Sequence, residues 1–417
     1  MELLNQFIPN SLVKSRDLQK HKHILINNLN RLYHPICFDS FDIYPYPLLV
    51  DEQLCFQLKD CHSLMIEVIP KLVNNFFIDP ALQQIISLDE KTLSCLSLLK
   101  DKQYEIGFIR PDFIFDKNNQ IKICEINARF PLNAFVLTQC LADAIYKKFS
   151  NELAYININN RKHLEIFRQF FDCKYPIHIL LNKEKSFEIQ LLKKMLFRLK
   201  FKFMLPDNLL FKNKKNNLQM ILNLHQEELI NLESNLLNKL IKQTYFNDIR
   251  TIFIVHDKRF LSILSNPSIM SKYLSSEKYN RLKAYIIPTY ILNNEVVEHI
   301  KGKVENWVFK KNAAGKGEGM LIGKEARLNE IHDVLIKRKF EYIAQPYIDQ
   351  YLFQFLNNPS AVTINTFNKN HQSLYLVGTM LSVNDIFLGP GLLRGSAKSI
   401  INIAQGDTTL FIPFSWN

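Results

Sequence analysis

The residues able to do chemistry in this sequence are concentrated in two β-patterned runs separated by a short polar stretch. The runs are 108–115 (FIRPDFIF) and 120–127 (QIKICEIN), and the DKNN between them has the composition of a turn. We predict a β-hairpin with a two-residue turn at Asn118 and Asn119. Because alternate residues of a strand point to the same face, such a hairpin collects its polar side chains on one side.

The predicted pairing brings four functional side chains onto one face of the hairpin. Asp112 faces Glu125 and Arg110 faces Asn127, with facing Cβ atoms about 5 Å apart. Two carboxylates at this separation repel unless a cation holds them, and oxygen ligands of this kind suit Mg²⁺. Arg110 can bind an anion through two parallel hydrogen bonds. The plain alternative is that this face is polar and solvated. Cys124 alternates out of the face and is expected in the core.

A strand followed by a glycine-rich stretch forms a second candidate site at 307–319 (WVFKKNAAGKGEG). Glycine lets backbone N–H groups approach phosphate oxygens closely. The stretch is not a Walker A motif, because its Gly-Lys pair is not followed by Ser or Thr and a helix. A tight turn is the plain alternative, and the sequence leaves open whether Lys310 or Lys311 faces a ligand. The candidate loop residues are Gly315, Lys316, Gly317 and Gly319.

Three weaker signals lie in the second half of the chain. Lys258 follows the apolar run 251–255, which we predict to be a strand, and a plain surface position is its alternative. Gln345 ends an apolar strand just before a proline, and Tyr347 follows that proline. Arg394 lies in the glycine-rich segment GPGLLRGS.

In this order, the motifs resemble those of circularly permuted ATP-grasp ligases of the glutathionylspermidine synthetase-like group. The resemblance covers about 105–405 and rests on R-x-D and E-x-N-A in the hairpin, D-K at 257–258, the lysine and glycine loop at 307–319, and L-R-G at 393–395. It implies ATP and Mg²⁺ as cofactors. It also implies that Asp112, Glu125 and Asn127 hold Mg²⁺, that Lys258, Lys310, Gly315, Lys316, Gly317, Gly319, Gln345 and Tyr347 bind ATP, and that Arg110 and Arg394 act in catalysis.

The activity that the resemblance implies is an ATP-dependent carboxylate–amine ligase working through an acyl phosphate. Its partners are then a small-molecule carboxylate and a small-molecule amine, whose identities the sequence does not give. Two alternatives stay open: a small-molecule kinase on the same fold, and a non-catalytic binding protein derived from it. The oligomeric state and any export of the protein are not readable from the sequence.

We predict a mixed α+β and α/β protein, with the circularly permuted ATP-grasp fold as the specific expectation from the resemblance. The predicted regions are a mainly helical segment at 1–104, the metal-binding hairpin and a helix at 105–173, a small parallel α/β domain of Rossmann-like order at 174–256, and ATP-grasp lobes with a glycine-rich lid and a C-terminal sheet at 257–417. The C-terminal strands are predicted at 361–367, 373–382, 386 onward and 400–403.

Composition limits the other function classes. The 417 residues carry a net charge of +12, but the basic residues are spread along the chain, so nucleic acid is not an expected partner. No apolar run reaches the ~18–20 residues of a membrane span, and the N-terminus lacks a signal-peptide layout, so a cytoplasmic protein is expected. The seven cysteines contain no CxxC pair, which disfavours structural zinc and a disulfide framework.

Overall fold

In the computed structural model, the described residues form three β-sheets with helices between them. The structure describes residues 3–6, 18–151, 153, 163–184, 187–196, 199–209, 218–313, 315, 317–356, 371–401 and 407–415. The strands, in chain order, are β1 (Leu4–Gln6), β2 (Asp42–Val50), β3 (Phe108–Phe115), β4 (Ile121–Asn127), β5 (Ile177–Leu181), β6 (Phe201–Met204), β7 (Gln219–Asn223), β8 (Thr244–Phe246), β9 (Tyr290–Ile291), β10 (Trp307–Lys311), β11 (Leu321–Ile322), β12 (Tyr342–Pro346), β13 (Phe353–Leu356), β14 (His371–Val383), β15 (Ile386–Ser396) and β16 (Thr409–Ser415). The helices are α1 (Leu18–Tyr33), α2 (Glu52–Asn74), α3 (Pro80–Ile85), α4 (Glu90–Ser97), α5 (Phe135–Lys148), α6 (His163–Gln169), α7 (Phe187–Met195), α8 (Gln226–Ile230), α9 (Ser234–Leu240), α10 (Phe260–Ser265), α11 (Pro267–Met270), α12 (Ser276–Tyr285), α13 (Asn294–Lys301) and α14 (Leu328–Ile336).

The large sheet carries the predicted hairpin at one edge. Its strand order is β1-β2-β16-β15-β14-β3-β4, and β13 pairs with the first residues of β14. All of its pairs are antiparallel except β2 with β16. Helix α2 packs against β15, begins where the Asp51 side chain accepts the Leu54 N–H at 2.8 Å, and buries an apolar stripe.

The α/β unit has four parallel strands in the order β6-β5-β7-β8. Its first three strands agree with the prediction to within a residue or two at each end. The predicted strand at 251–255 is wrong: these five buried residues form one turn of π-helix, and β8 is the fourth strand instead. A short apolar run has the same composition in either conformation, so periodicity did not distinguish them.

The N-terminal region contains a strand that the sequence analysis did not assign. Helices α1 to α4 agree with its mainly helical prediction, but β2 runs through the large sheet beside β16. The prolines Pro45 and Pro47 lie in β2, and its register with β16 shifts between Ile43 and Pro47. Proline cannot donate to a ladder, so such a run does not have a strand signature.

The small lobe, residues 290–346, is built on the antiparallel sheet β11-β10-β12-β9 with α13 and α14. It has its own apolar core around Phe309, separate from the continuous core of the rest of the chain. The cleft between this lobe and the large sheet is therefore bounded by two independently packed bodies.

Two of the predicted C-terminal strands are present as β14 and β15. The predicted strand at 361–367 lies outside the described residues, as does part of the one at 400–403, and the last described strand is β16. Among the described residues, no helix is both long enough and apolar enough to cross a membrane.

Candidate active site

The strand pairing predicted for the hairpin is confirmed, although the turn differs from the prediction. Asp112 is opposite Glu125, and Arg110 is opposite Asn127. The loop is closed by a hydrogen bond from Asp116 N–H to the Gln120 carbonyl, so it has three residues rather than two. Its last residue is left-handed, with φ +61° at Asn119, a conformation that asparagine tolerates.

A β-bulge at Cys124 compensates for the longer turn. Phe113 pairs with Ile123 and Asp112 with Glu125, so Cys124 is the extra residue on β4. The core position expected for Cys124 is wrong: its side chain lines the cleft, and its thiol donates to the Asp112 carbonyl at 3.4 Å. The bulge also turns the Cys124 carbonyl toward the small lobe, where it accepts from Lys310 Nζ at 3.2 Å.

Two arginines hold the buried carboxylate of Asp112. Arg394 on β15 reaches across β14, and its Nη2 donates to Asp112 Oδ2 at 2.6 Å. Arg110 Nε lies 3.3 Å from Asp112 Oδ1, outside hydrogen-bond geometry, so that buried oxygen has no hydrogen-bond partner in the described structure. The side chain of Asp112 is 1% exposed. Asp112 Oδ1 is therefore a free hydrogen-bond acceptor, and its carboxylate lies against the two arginines.

Glu125 is the second carboxylate and faces cations from two elements. Burial alone would raise its pKa, but Lys258 and Lys310 outweigh that effect and hold the pKa of Glu125 well below its usual range. Lys258 Nζ lies 3.6 Å from Glu125 Oε2, and Asn127 Nδ2 donates to Oε1 at 3.1 Å. Because its pKa is lowered, Glu125 is charged at neutral pH. Lys258 is itself buried, contrary to the surface alternative for it.

The two adjacent lysines of β10 point to different places. Lys310 is 9% exposed and lines the cleft. Lys311 Nζ lies 3.2 Å from the Glu318 carboxylate, and its stem lies against Gly319. Of the two lysines between which the sequence did not decide, Lys310 is the one that lines the cleft.

The described part of the glycine-rich stretch lies beside the cleft. Gly317 and Gly319 have φ values of +71° and +66°, which L side chains rarely adopt. Gly317 lines the cleft, and Gly315 lies beside the Arg129 guanidinium. Lys316, the remaining predicted loop residue, lies outside the described residues.

Gln345 and Tyr347 lie at the base of the cleft, where the small lobe joins the large sheet. The Gln345 amide donates to the Cys124 carbonyl at 3.3 Å and to Thr289 Oγ1 at 2.9 Å. Tyr347 lines the cleft, and Lys324 Nζ lies over its ring, 3.7 Å from the centroid. The side-chain amide of Gln345 therefore links β12 of the small lobe to β4 of the large sheet.

The sequence analysis missed the apolar walls of this cleft, which encloses about 220 Å³. Their shared feature is that they come from strands or strand ends on both sides. These residues are Ile114, Ile287, Val308, Met320, Ile322, Ile348 and Val377. Alternation along β10 places Val308 and Lys310 on one face, which is the signal that could have found part of this set.

The oxygen donors of the hairpin suit a hard divalent cation. The described residues contain no group of three His, Cys, Asp or Glu side chains placed to bind a metal. The set here is two carboxylates and an amide, and Asp112 Oδ1 has no hydrogen-bond partner among the described residues. Mg²⁺ takes few protein ligands and completes its shell with phosphate and water oxygens, so Asp112, Glu125 and Asn127 fit that ion.

Comparison with known proteins gives an independent view of this arrangement. Residues 61–254 match the family model described as the AnkG N-terminal domain. The chain is 22% identical over 430 residues to the ATP-grasp enzyme ankG of Aspergillus thermomutatus, covering 87% of this chain and 86% of that protein. A glutathione synthetase-like effector from Globodera pallida, solved in its apo form, matches 98% of this chain and all of its own with a TM-score of 0.59 at 12% identity. The chain thus has a glutathione synthetase-like fold, and the two matches support an ATP-grasp-like family.

Proposed function

We propose that this protein is an ATP-dependent carboxylate–amine ligase that forms an amide through an acyl phosphate. The observation that carries the proposal is a single cleft with acidic oxygen donors and two arginines on one wall, and Lys310 and a glycine loop on the other. The ATP-grasp-like relative supports the nucleotide part of the proposal. The circular permutation and the four-region division of the chain belong to the same proposal.

In this proposal the nucleotide lies between the lobes. The base occupies the apolar space beside Val308 and Ile322, and the phosphates extend toward Lys310 and the N–H groups around Gly317. Asp112, Glu125 and Asn127 would hold Mg²⁺, which neutralises phosphate charge when bound. Lys258 keeps the Glu125 carboxylate ionised for that task.

The chemistry needs no covalent group from the protein. A substrate carboxylate oxygen attacks the γ-phosphorus, the bond to ADP breaks, and an acyl phosphate forms. An amine then attacks the acyl carbon, phosphate leaves with the bonding electrons, and the nitrogen loses a proton to the released phosphate or to water. Arg110 and Arg394 stand where they can stabilise the transferred phosphoryl group. Burial raises the pKa of the Cys124 thiol to about 11, so this cysteine stays neutral and is not a nucleophile.

A matched pair of variants tests the nucleotide site. Millimolar Mg²⁺-ATP should raise the Tm of the wild type, because a ligand that binds only the folded state stabilises it. Lys310→Met should lose most of that rise and Lys311→Met should keep it, since only Lys310 faces the cleft. Absence of a rise in the wild type would overturn the proposal in favour of the non-catalytic alternative.

A product assay separates the ligase from the kinase alternative. Pools of carboxylic acids and amines are incubated with the protein and Mg²⁺-ATP, and free phosphate is measured together with phosphorylated products. Ligation releases ADP and phosphate only when both an acid and an amine are present. A phosphorylated product formed without free phosphate would assign phosphotransfer to the same cleft.

A further inference from the structure

We infer that Asn247 is a positioning residue that holds the open end of the metal-binding hairpin in register. The inference rests on the proposed function of that hairpin, and it assigns the α/β unit a direct role in setting the geometry of the site. Asn247 follows β8 and does not line the cleft. Its effect on ligand binding therefore passes through the backbone of β3 and β4.

The Asn247 side chain bonds to both strands of the hairpin. Its Oδ1 accepts the Phe108 N–H at 2.7 Å, and its Nδ2 donates to the Phe108 carbonyl at 2.7 Å. The same Nδ2 donates to the Ala128 carbonyl, also at 2.7 Å. The amide thus takes the place of a neighbouring strand at the point where the hairpin opens.

The residues so held adjoin the functional ones. Ala128 directly follows Asn127, and Phe108 precedes Arg110 by two positions on β3. Asn247 is fully buried, so each of these bonds is shielded from water. Loss of the Asn247 hydrogen bonds should therefore displace Arg110 and Asn127, which are paired across β3 and β4.

The neighbouring backbone is shaped to admit this side chain. Gly107 has φ +76°, and a Cβ atom there would overlap the Asn247 amide, with its Cγ at 3.0 Å. From the other end of the same segment, His256 Nδ1 lies 3.3 Å from Ala128 N. The same Nδ1 lies 3.3 Å from the Ile126 carbonyl, so His256 contacts the β4 backbone on one side of Asn127 or the other in either tautomer. Asn247 and His256, at the two ends of residues 247–256, thus both hold the strand end that carries Asn127.

The side chain at position 247 must be an amide, because it accepts one hydrogen bond through its oxygen and donates two through its nitrogen. Asp at this position keeps nearly the same shape but presents a carboxylate to the Phe108 and Ala128 carbonyls. Those carbonyls then lose their partner and repel the new charge. The expected consequence is a looser hairpin end and a weaker hold on the ion that Asn127 helps to bind.

The test uses Asn247→Asp and a matched control, Gln219→Glu. Gln219 on β7 makes the same two-way contact in the same unit, accepting from the Asp172 N–H and donating to the Asp172 carbonyl at 3.0 Å, but away from the cleft. For each full-length variant, the ATP-induced rise in Tm is measured against Mg²⁺ concentration. Urea unfolding measures stability separately.

We expect Asn247→Asp to raise the Mg²⁺ concentration at half-maximal effect about tenfold or more, in the range found for supporting residues of metal sites. Gln219→Glu should lose stability but keep the wild-type midpoint. If Asn247→Asp does not fold, Gly107→Ala provides a second test, because its Cβ atom would overlap the Asn247 amide and should also raise the Mg²⁺ midpoint. Equal midpoints in all variants would overturn the positioning role, whereas no ATP effect in the wild type would overturn the proposed function itself.

Discussion

The charged side chains around the two carboxylates of the hairpin do not balance, and the surplus is positive. Four cations, Arg110, Arg394, Lys258 and Lys310, surround the two carboxylates, Asp112 and Glu125. The arginines lie against Asp112, and the lysines act on Glu125. A ligand that brings both phosphate and a divalent cation can exchange these pairs for new ones without leaving a buried charge unpaired.

The pair of Asp112 and Arg394 gives a prediction at the residue scale. Arg394→Gln should lower the free energy of unfolding by about 3 kcal/mol, the low end for a broken buried ion pair, because Asp112 is buried but keeps the misaligned Arg110. Adding Asp112→Asn should restore part of that loss, since the uncompensated charge is then gone. Urea unfolding of the two single variants and the double variant measures the coupling. A loss that simply adds in the double variant would contradict the pairing.

At the scale of elements, buried histidines join helices to the large sheet. His62 on α2 is buried against β14, with Nε2 2.8 Å from Ser382 Oγ and the ring 5.3 Å from that of Phe387. Burial lowers its pKa to about 4, and the charge of Asp385 offsets this only in part. The histidine is therefore packed in its neutral form.

A pH dependence follows from this depressed pKa. The unfolded chain binds a proton at His62 more readily than the folded one, so its contribution to stability is present above pH 6.5 and is lost as the pH falls toward 4. For His62→Gln, the difference in unfolding free energy from wild type should shrink by about 3 kcal/mol over that range. Exposed His23→Gln is the control. A difference independent of pH would show that His62 does not titrate in this way.

Close approach between strands gives a second prediction for the large sheet. Gly378 on β14 pairs with Phe113 on β3, and a Cβ atom there would overlap the Phe113 ring. Gly378→Ala should therefore destabilise the protein by about 1–3 kcal/mol through overpacking. Gly302→Ala, where a Cβ atom meets nothing within 4 Å, should have little effect in the same thermal unfolding assay. Equal effects of the two substitutions would contradict the close contact.

What could be predicted from the sequence differed between elements. The pairing of Asp112 with Glu125 was predictable because alternation and a polar turn limit a hairpin to a few registers. The bulge at Cys124 was not, since a longer turn and an extra residue cancel and leave the same pairs. The predictions failed at the π-helical turn of 251–255 and at the proline-containing β2. In both segments the local composition does not indicate the backbone conformation that packing against the core imposes.

At the scale of the whole molecule, several of the residues that the sequence motifs singled out line one cleft, whereas its apolar walls were not predicted. The hairpin residue Cys124 is 186 residues from Lys310 and 221 from Gln345 in sequence, and hydrogen bonds from both side chains to the Cys124 carbonyl join the hairpin to the small lobe. At the rim, Ser399 donates to the Glu325 carboxylate at 2.6 Å, from the end of the large sheet to the small lobe. Such contacts depend on how two packed bodies meet, and no local pattern encodes that.

The position of the cleft between two separately packed bodies predicts a specific pattern of hydrogen exchange. Saturating Mg²⁺-ATP should slow exchange in both β3–β4 and β10–β11, because a ligand that touches both walls stabilises each against local opening. At a ligand concentration of 100 Kd the slowing should reach about 100-fold where exchange requires the lobes to part. Strand β7, in the core of the α/β unit and away from the cleft, is the internal reference. Protection confined to one lobe would place the nucleotide outside the cleft, and protection of β7 alone would point to a site in the α/β unit.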